Sequence, residues 1–453
     1  MKSIPRLKQQ ALLQKLQWIA QPNKYLNGAV QEAPDCADLF VAEVAKDDYI
    51  FVNHPAAMRQ MMTRDRAKYF ASSKDNAIMR PLVGDKSLLL IEGETHKKRR
   101  KLLMPSFHGA RMKAYGDLIC NLTRQIMAKL QPGQSFIARD VSQEVSLQVI
   151  LEAVFGLHDS PRSQEFKQLI AKLANIFESP LIAAFLFIPL LQQDWGAWSP
   201  WGNFIRQRQT IDKAIYQEIA TRRALVHSQG EDILSLMMSA RDEVGGAMED
   251  HELRDELMTL MLAGHETTAT AIAWSLYWVH RDPEIQRQLR AEIASLGEDP
   301  DPMQIARLPY LNAVCQESLR IYPVAMLTFP RTVVRSTELL GYKLEAGQII
   351  MGCIYLIHQR ADIYPEPHKF KPERFLERKF DAYEFFPFGG GQRRCIGDAL
   401  AMLELKLVLA TIVSEYNLEL ASDRPEKPGR RGVTLAPQTG IQMKYLGKQP
   451  MNQ

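Results

Sequence analysis

From Asp250 to about His280 the chain keeps helical spacing without a break. Asp250 suits the N-cap and Asp282-Pro283 supplies a stop. At about 1.5 Å per residue such a helix crosses most of a globular domain. Arg111 to Lys129, Val141 to Phe155, Ser163 to Phe177, Phe204 to Leu225 and Leu311 to Tyr322 also carry apolar residues at helical spacing. The strand-like pieces are short: Tyr49 to Asn53, Arg331 to Val334, Gln348 to Cys353 and Thr434 to Tyr445. Between Ala361 and Gly391, Pro365, Pro367, Pro372 and Pro387 predict a loop too long to be idle. The expectation is a mainly α protein with small β-sheets. No linker or repeat divides it, so residues 1–453 read as a single domain.

Composition excludes several classes. The 453 residues are 46% hydrophobic and 24% charged, with a net charge of +4, too small to imply nucleic acid. The five cysteines, Cys36, Cys120, Cys315, Cys353 and Cys395, form no CxxC pair and fit a reducing compartment. Met1 to Ala20 is basic but broken by polar residues, so neither a signal peptide nor an anchor is expected. The longest apolar run, Leu181 to Ile188, is far short of the roughly 20 residues of a membrane-spanning helix. A cytoplasmic protein without a transmembrane anchor is expected.

One cysteine has a special setting. Phe386-Pro387-Phe388-Gly389-Gly390-Gly391-Gln392-Arg393-Arg394-Cys395-Ile396-Gly397 presents Cys395 on a glycine-rich loop, behind two arginines, at the mouth of an apolar helix that begins near Ile396. Positive charge and amide donors hold a thiolate, which is a strong metal ligand. Glycines let amides approach the sulfur, and the helix adds the positive end of its dipole. Cys395 therefore reads as a ligand to iron; a buried structural cysteine is the plain alternative.

Three further constellations carry chemistry. Within the long helix, Ala263-Gly264-His265-Glu266-Thr267-Thr268 combines a costly mid-helix glycine, an acid and a threonine that can bond back to the carbonyl of Ala263. This reads as a groove that handles a small molecule and protons, or as a solvated Glu beside a back-bonded Thr. Glu317 and Arg320 stand at i and i+3 on one helical face, and Arg374 follows in the proline-rich segment. A buried Glu between two arginines would brace the Cys395 loop. In Gly93 to Lys101, His96 and Arg100 lie one turn apart and could hold cofactor carboxylates. Lys97, Lys98 and Lys101 lie on the opposite side, a charge run that is ordinarily a solvated face.

Together these pieces resemble the haem-thiolate monooxygenases of the cytochrome P-450 superfamily, of the soluble bacterial type, over nearly the whole chain. Phe388 to Gly397 fits the signature Phe-x-x-Gly-x-Arg-x-Cys-x-Gly without departure, Glu317 and Arg320 supply Glu-x-x-Arg, and Ala263 to Thr268 fits the oxygen-activating helix motif. His96 stands where the family often has Trp. The resemblance implies haem b buried between the long helix and the Cys-loop helix, with Cys395 as axial thiolate ligand. It implies that Phe388 shields the sulfur, that Gly397 completes the haem-binding loop, and that His96, Arg100, Arg331 and Arg393 hold the propionates. Thr267 and Glu266 should deliver protons to iron-bound O2, with Gly264 leaving room for it.

No flavin or NAD fingerprint is found, so NAD(P)H electrons are expected through a partner, a ferredoxin or flavodoxin with its reductase. In this fold Lys97, Lys98, Arg99, Lys101 and Arg394 would dock it. The pocket walls are placed at Ala71 to Leu90, Leu181 to Ile188, Leu262, Ala263, Val324, Ala325, Met326, Leu327, Thr328 and Val433, Thr434, Leu435. Nearly all are apolar, which suits a fatty acid, terpenoid or steroid. Leu181 to Ile188 could be a lid or simple core. The expected activity is monooxygenation by a monomer that binds no nucleic acid. The alternatives are a peroxygenase or isomerase, whose relatives usually lose the acid–Thr pair, and a haem sensor, for which no signalling module is present.

Overall fold

The computed structural model describes residues 2–449 except 8–12, 14–16, 20, 33–37, 45–46, 64–68, 72–74, 108, 110, 157–160, 177–191, 225–231 and 242–244. The run Leu181 to Ile188 therefore lies outside the described residues, as do Cys36 and part of Ala71 to Leu90.

Helices dominate. The longer ones used below are α1 (Gly93–Leu103), α2 (Arg111–Met127), α3 (Ala138–Phe155), α4 (Pro161–Ile176), α5 (Pro200–Ala224), α6 (Asp250–Arg281), α7 (Pro283–Ala294), α8 (Pro309–Ile321) and α9 (Asp398–Glu415). The main sheet is built from β1 (Leu39–Val44), β2 (Asp47–Val52), β3 (Tyr69–Ala71), β4 (Arg331–Val333) and β5 (Ile349–Gly352), in the order β1-β2-β5-β4-β3. Only the β2–β5 pair is parallel; the others are antiparallel. In this register Arg331 stands opposite Ala71 on one side and Ile350 on the other.

The long helix α6 is the axis of the main core. Leu253 to Met261 and Thr268 to Tyr277 are buried on every side, a pattern that only a central helix can sustain. Helices α2, α3, α5, α8 and α9 contribute to the same core. Accessible surface returns on α6 only between Leu262 and Thr267, within its buried span. That interruption is where the chemistry-bearing motif lies.

The structure moves several expected boundaries. Glu249, not Asp250, caps α6, because its side chain and that of Glu252 form a reciprocal capping box. Asp250 pairs instead with Arg223 of α5 at 2.6 Å. The single strand expected from Thr434 to Tyr445 is two, Thr434–Pro437 and Gln442–Lys448, in different sheets. Gly440 and Ile441, with φ of 73° and 68°, turn the chain between them. The helix after Cys395 begins at Asp398, with Gly397 at the N-cap. No helix among the described residues is long and apolar enough to cross a membrane.

Candidate haem-thiolate site

The Cys395 loop is shaped by its glycines. Gly389 and Gly391 have φ of 68° and 64°, a region open to glycine at no steric cost. The Gly389 amide donates to Phe386 O at 2.9 Å, and the Cys395 amide donates to Phe388 O at 2.9 Å. Phe388 itself is half-buried against the main core. The Phe386 amide donates to Nε2 of the buried His358 at 3.1 Å. Burial, with Arg320 adding to it, pushes His358 down to about 3, so its ring is neutral and free to accept.

Cys395 has accessible surface, yet protein surrounds it closely. Burial pushes its thiol up to about 11, against the opposing pull of the Gly397 amide and of Arg100 and Arg394. Donors and dipole alone therefore leave a thiol. A bound cation is what would complete deprotonation, as metal coordination does for thiols.

Four basic side chains from three regions converge beside this loop. Arg100 of α1 donates to Arg394 O at 2.6 Å and to Cys395 O at 3.5 Å. His96, one turn earlier and buried, is pushed down to about 4 by burial and by the charges of Arg393 and Arg100. Arg331 of β4 is buried and pushed down to about 10, by burial first and by Arg393 second. Arg393 is also lowered, by burial and by Arg100. Three mutually repelling arginines with a neutral imidazole beside them in a desolvated place call for an anionic occupant. The propionates of a haem fit this set, and the sulfur of Cys395 fits its iron.

On α6 the Thr267 hydroxyl donates to Ala263 O at 2.6 Å, as the sequence predicts. Thr268 does the same to Gly264 O at 2.9 Å. Ala263 is exposed on this segment. Glu266 is oriented otherwise. Its carboxylate accepts from Arg139 Nη2 and Gln143 Nε2 of α3, each at 2.7 Å, and lies 3.5 Å from Arg431 Nε. The space expected beside Gly264 is filled on the side that a side chain would occupy. A Cβ there would stand 2.8 Å from Ile150 Cδ1 and 2.9 Å from Cγ1, so the missing side chain serves the crossing of α6 over α3.

The brace assembles. Glu317 accepts from Arg320 Nε at 2.6 Å and Nη2 at 2.8 Å, from Arg374 Nε at 3.1 Å, and from the Lys371 amide at 2.9 Å. Arg320 donates onward to His358 O at 2.8 Å and Arg374 to Pro365 O at 3.0 Å. All three side chains are buried. Helix α8, the proline-rich segment and His358 are thus tied together directly behind Phe386.

Other expected residues divide. Val324 and Met326 are buried in core clusters while Ala325, in the bend between them, is exposed. Met326 packs in the cluster around Trp18 and Phe51, so it is core and not pocket wall. Leu435 is fully buried in the same cluster and Thr434 bonds to Arg431 O, whereas Val433 is 55% exposed. Leu262 and Leu327 are half-buried. Arg99 is no docking cation: it is buried on Glu252 at 2.8 Å and Glu256 at 2.9 Å, on the face of α1 turned to α6. Lys98 and Lys101 are exposed. Lys97 pairs with Glu94, and Arg394 with Asp398. Sequence reading missed Arg139, Gln143 and Arg431 around Glu266; no local spacing links residues so far apart in the chain.

Comparison with known proteins agrees with this geometry. The family model described as Cytochrome P450 matches residues 7–445. A Mycobacterium tuberculosis protein assigned as cytochrome P450 135B1 is 32% identical over 397 residues, which are 87% of this chain and 81% of the relative. Another from the same organism, assigned as cytochrome P450 137, is 35% identical over 365 residues, 80% of this chain and 74% of that one. The solved structure of retinoic acid-bound cyanobacterial CYP120A1 superposes with a TM-score of 0.84, covering 99% of this chain and 100% of that one at 22% identity.

Proposed function

This chain belongs to the cytochrome P450 family and is a haem-thiolate monooxygenase, and from that premise we propose that it hydroxylates or epoxidises a lipophilic small molecule with O2 and electrons from a separate redox protein. The observation that carries the site assignment is the convergence of His96, Arg100, Arg331 and Arg393 beside the Cys395 loop. Cys395 would hold the iron, and the four basic groups would hold the propionates. Gly397 directs its amide toward the sulfur and opens α9. Bound haem supplies the oxidising iron. Thr267 keeps its hydroxyl proton on Ala263 O and passes it on only after rotating away from that carbonyl. Glu266 would relay protons toward that position by leaving one of its partners, Arg139, Gln143 or Arg431, and taking up a proton from solvent.

The accessible walls Ala263, Ala325, Leu327 and Val433 are apolar, which supports a lipophilic substrate. The retinoic acid held by the cyanobacterial structure of the same fold supports the same class. The donor is a ferredoxin or flavodoxin, docked by Lys98 and Lys101 with Lys97 and Arg394 at the margin.

The test is optical. Reduced protein under CO should show the red-shifted Soret band of a thiolate ligand, and its absence in folded protein overturns the site assignment. A panel of fatty acids, terpenoids and steroids should then contain a compound that displaces the iron-bound water. A panel in which only hydrophilic compounds do so overturns the substrate class. In Thr267→Ala, electron consumption should separate from product formation, with peroxide released; normal coupling removes Thr267 from the proton route.

A further inference from the structure

The loop from Gly84 to Ile91 runs beside α6, and its contacts are unusually specific. Gly84 closes the short helix Arg80–Val83 with φ of 83°, its amide donating to Arg80 O at 3.0 Å. A Cβ on Gly84 would stand 2.1 Å from Asp255 Oδ1, so only glycine permits this approach. Asp255 is buried, and its two oxygens are divided. Oδ2 accepts from the Lys86 amide at 2.8 Å, and Oδ1 accepts from Arg254 Nη1 at 2.8 Å. One turn along α6, the Thr259 hydroxyl donates to Asp255 O at 2.6 Å and accepts from the buried Ser87 hydroxyl at 2.7 Å. The loop is thus fastened to α6 at two successive turns.

The other side of the loop faces the proposed haem site. Arg393 donates through Nη1 to Leu88 O and through Nη2 to Ile91 O, both at 2.7 Å. Both terminal nitrogens of this arginine are therefore placed by loop carbonyls. The same system reaches α5. Arg254 Nε donates to Asp212 at 2.6 Å, and Arg208 Nη1 donates to Pro81 O at 2.8 Å. Helix α5, helix α6, the loop and the Cys395 loop form one connected set of polar contacts, with Asp255 at its junction.

We propose that Asp255 is a positioning residue that sets the place of the 84–91 loop and, through the carbonyls of Leu88 and Ile91, the place of Arg393 against the haem. This rests on the reading of Arg393 as a propionate ligand. Asp255→Asn keeps one acceptor oxygen but turns an NH2 toward either the Lys86 amide or Arg254, a donor against a donor. Gly84→Ala moves Asp255 from the other side and should reproduce the effect.

The experiment uses haem-loaded protein and measures haem transfer to an excess of apomyoglobin, with the reduced CO spectrum recorded on the loaded fraction. Asp255→Asn should release haem about tenfold faster, about 1.4 kcal/mol, while the CO band keeps its thiolate position. Arg393→Gln should also release haem faster, and the double variant should release it no faster than Arg393→Gln alone. Unchanged release in Asp255→Asn, or additive effects of the two changes, overturns the proposal, because a merely structural role would add. Normal release in Arg393→Gln overturns it by a different route, since it removes Arg393 from the haem site while leaving any Asp255 effect in place. If Asp255→Asn does not fold, Gly84→Ala, whose Cβ displaces the Asp255 carboxylate from the loop side, takes its place in the same cycle with the same two outcomes.

Discussion

Gly264 separates two accounts of the α6 motif, and Gly264→Ala decides between them. If the residue exists to leave space for a ligand, alanine should alter coupling of electrons to product and leave stability alone or improve it. Replacing a mid-helix glycine by alanine is worth about 1 kcal/mol in propensity. The packing points the other way. The new Cβ would stand 2.8 Å from Ile150 Cδ1 and 2.9 Å from Cγ1, where carbon pairs rest at roughly 3.5–4.0 Å. Ile150 is buried on α3, and a β-branched side chain has one strongly preferred χ1 in a helix, so it cannot swing clear. Overpacking of this kind costs about 1–3 kcal/mol. With a stiff neighbour the upper end applies, and the net loss should be about 2 kcal/mol after the propensity gain. Urea unfolding followed by far-UV circular dichroism reads this directly. The second arm is a double-mutant cycle with Ile150→Ala, which alone should cost about 2–5 kcal/mol. In combination each alanine relieves the other, giving a favourable coupling of about 2 kcal/mol. A Gly264→Ala protein as stable as the parent, or a coupling within about 0.5 kcal/mol of zero, refutes the packing argument.

Three further outcomes are expected. Glu317→Ala leaves Arg320 and Arg374 buried without their carboxylate and should cost about 3–5 kcal/mol in a urea titration; a loss no larger than that of a surface substitution would show the brace to be dispensable. Glu404, buried on α9, is raised by burial to about 8, so between the ordinary carboxylate range and that value the folded state holds a proton that the unfolded chain has released. Its contribution is present at low pH and is lost as pH rises through 8; Glu404→Gln should flatten the fall in urea midpoint between pH 5.5 and 8, with Glu256, raised to about 7, supplying the slope that remains. Reversing the exposed Lys98 and Lys101 to Glu should slow reduction by an acidic ferredoxin, most at low salt; identical stopped-flow rates at all ionic strengths would place the donor elsewhere.

Legibility followed the range of the interaction. The Thr267 back-bond and the Glu317–Arg320 pair are local, three or four residues apart, and both stand as spacing predicts. The expected helices also form, with ends shifted by a few residues where capping competes. Arg99 shows where local reasoning stops. In a run of five consecutive basic residues, Lys97 to Lys101, nothing in the sequence distinguishes the one that turns inward onto Glu252 and Glu256. Met326 and Ala325 likewise look interchangeable as apolar pocket residues until the fold buries the first and exposes the second.

The sequence by itself determined the family, the thiolate loop, the long helix and the members of the brace, because covalent geometry fixes 3.6 residues per turn and the left-handed glycine turns of the loop. Only the tertiary structure decided what each of these groups faces. It turned Gly264 to Ile150, held Glu266 between Arg139, Gln143 and Arg431, and set Asp255 of α6 against the 84–91 loop whose carbonyls hold Arg393. Those partners lie more than a hundred residues apart in most cases, and burial, by making each unpaired charge costly, selected the one packing in which they meet.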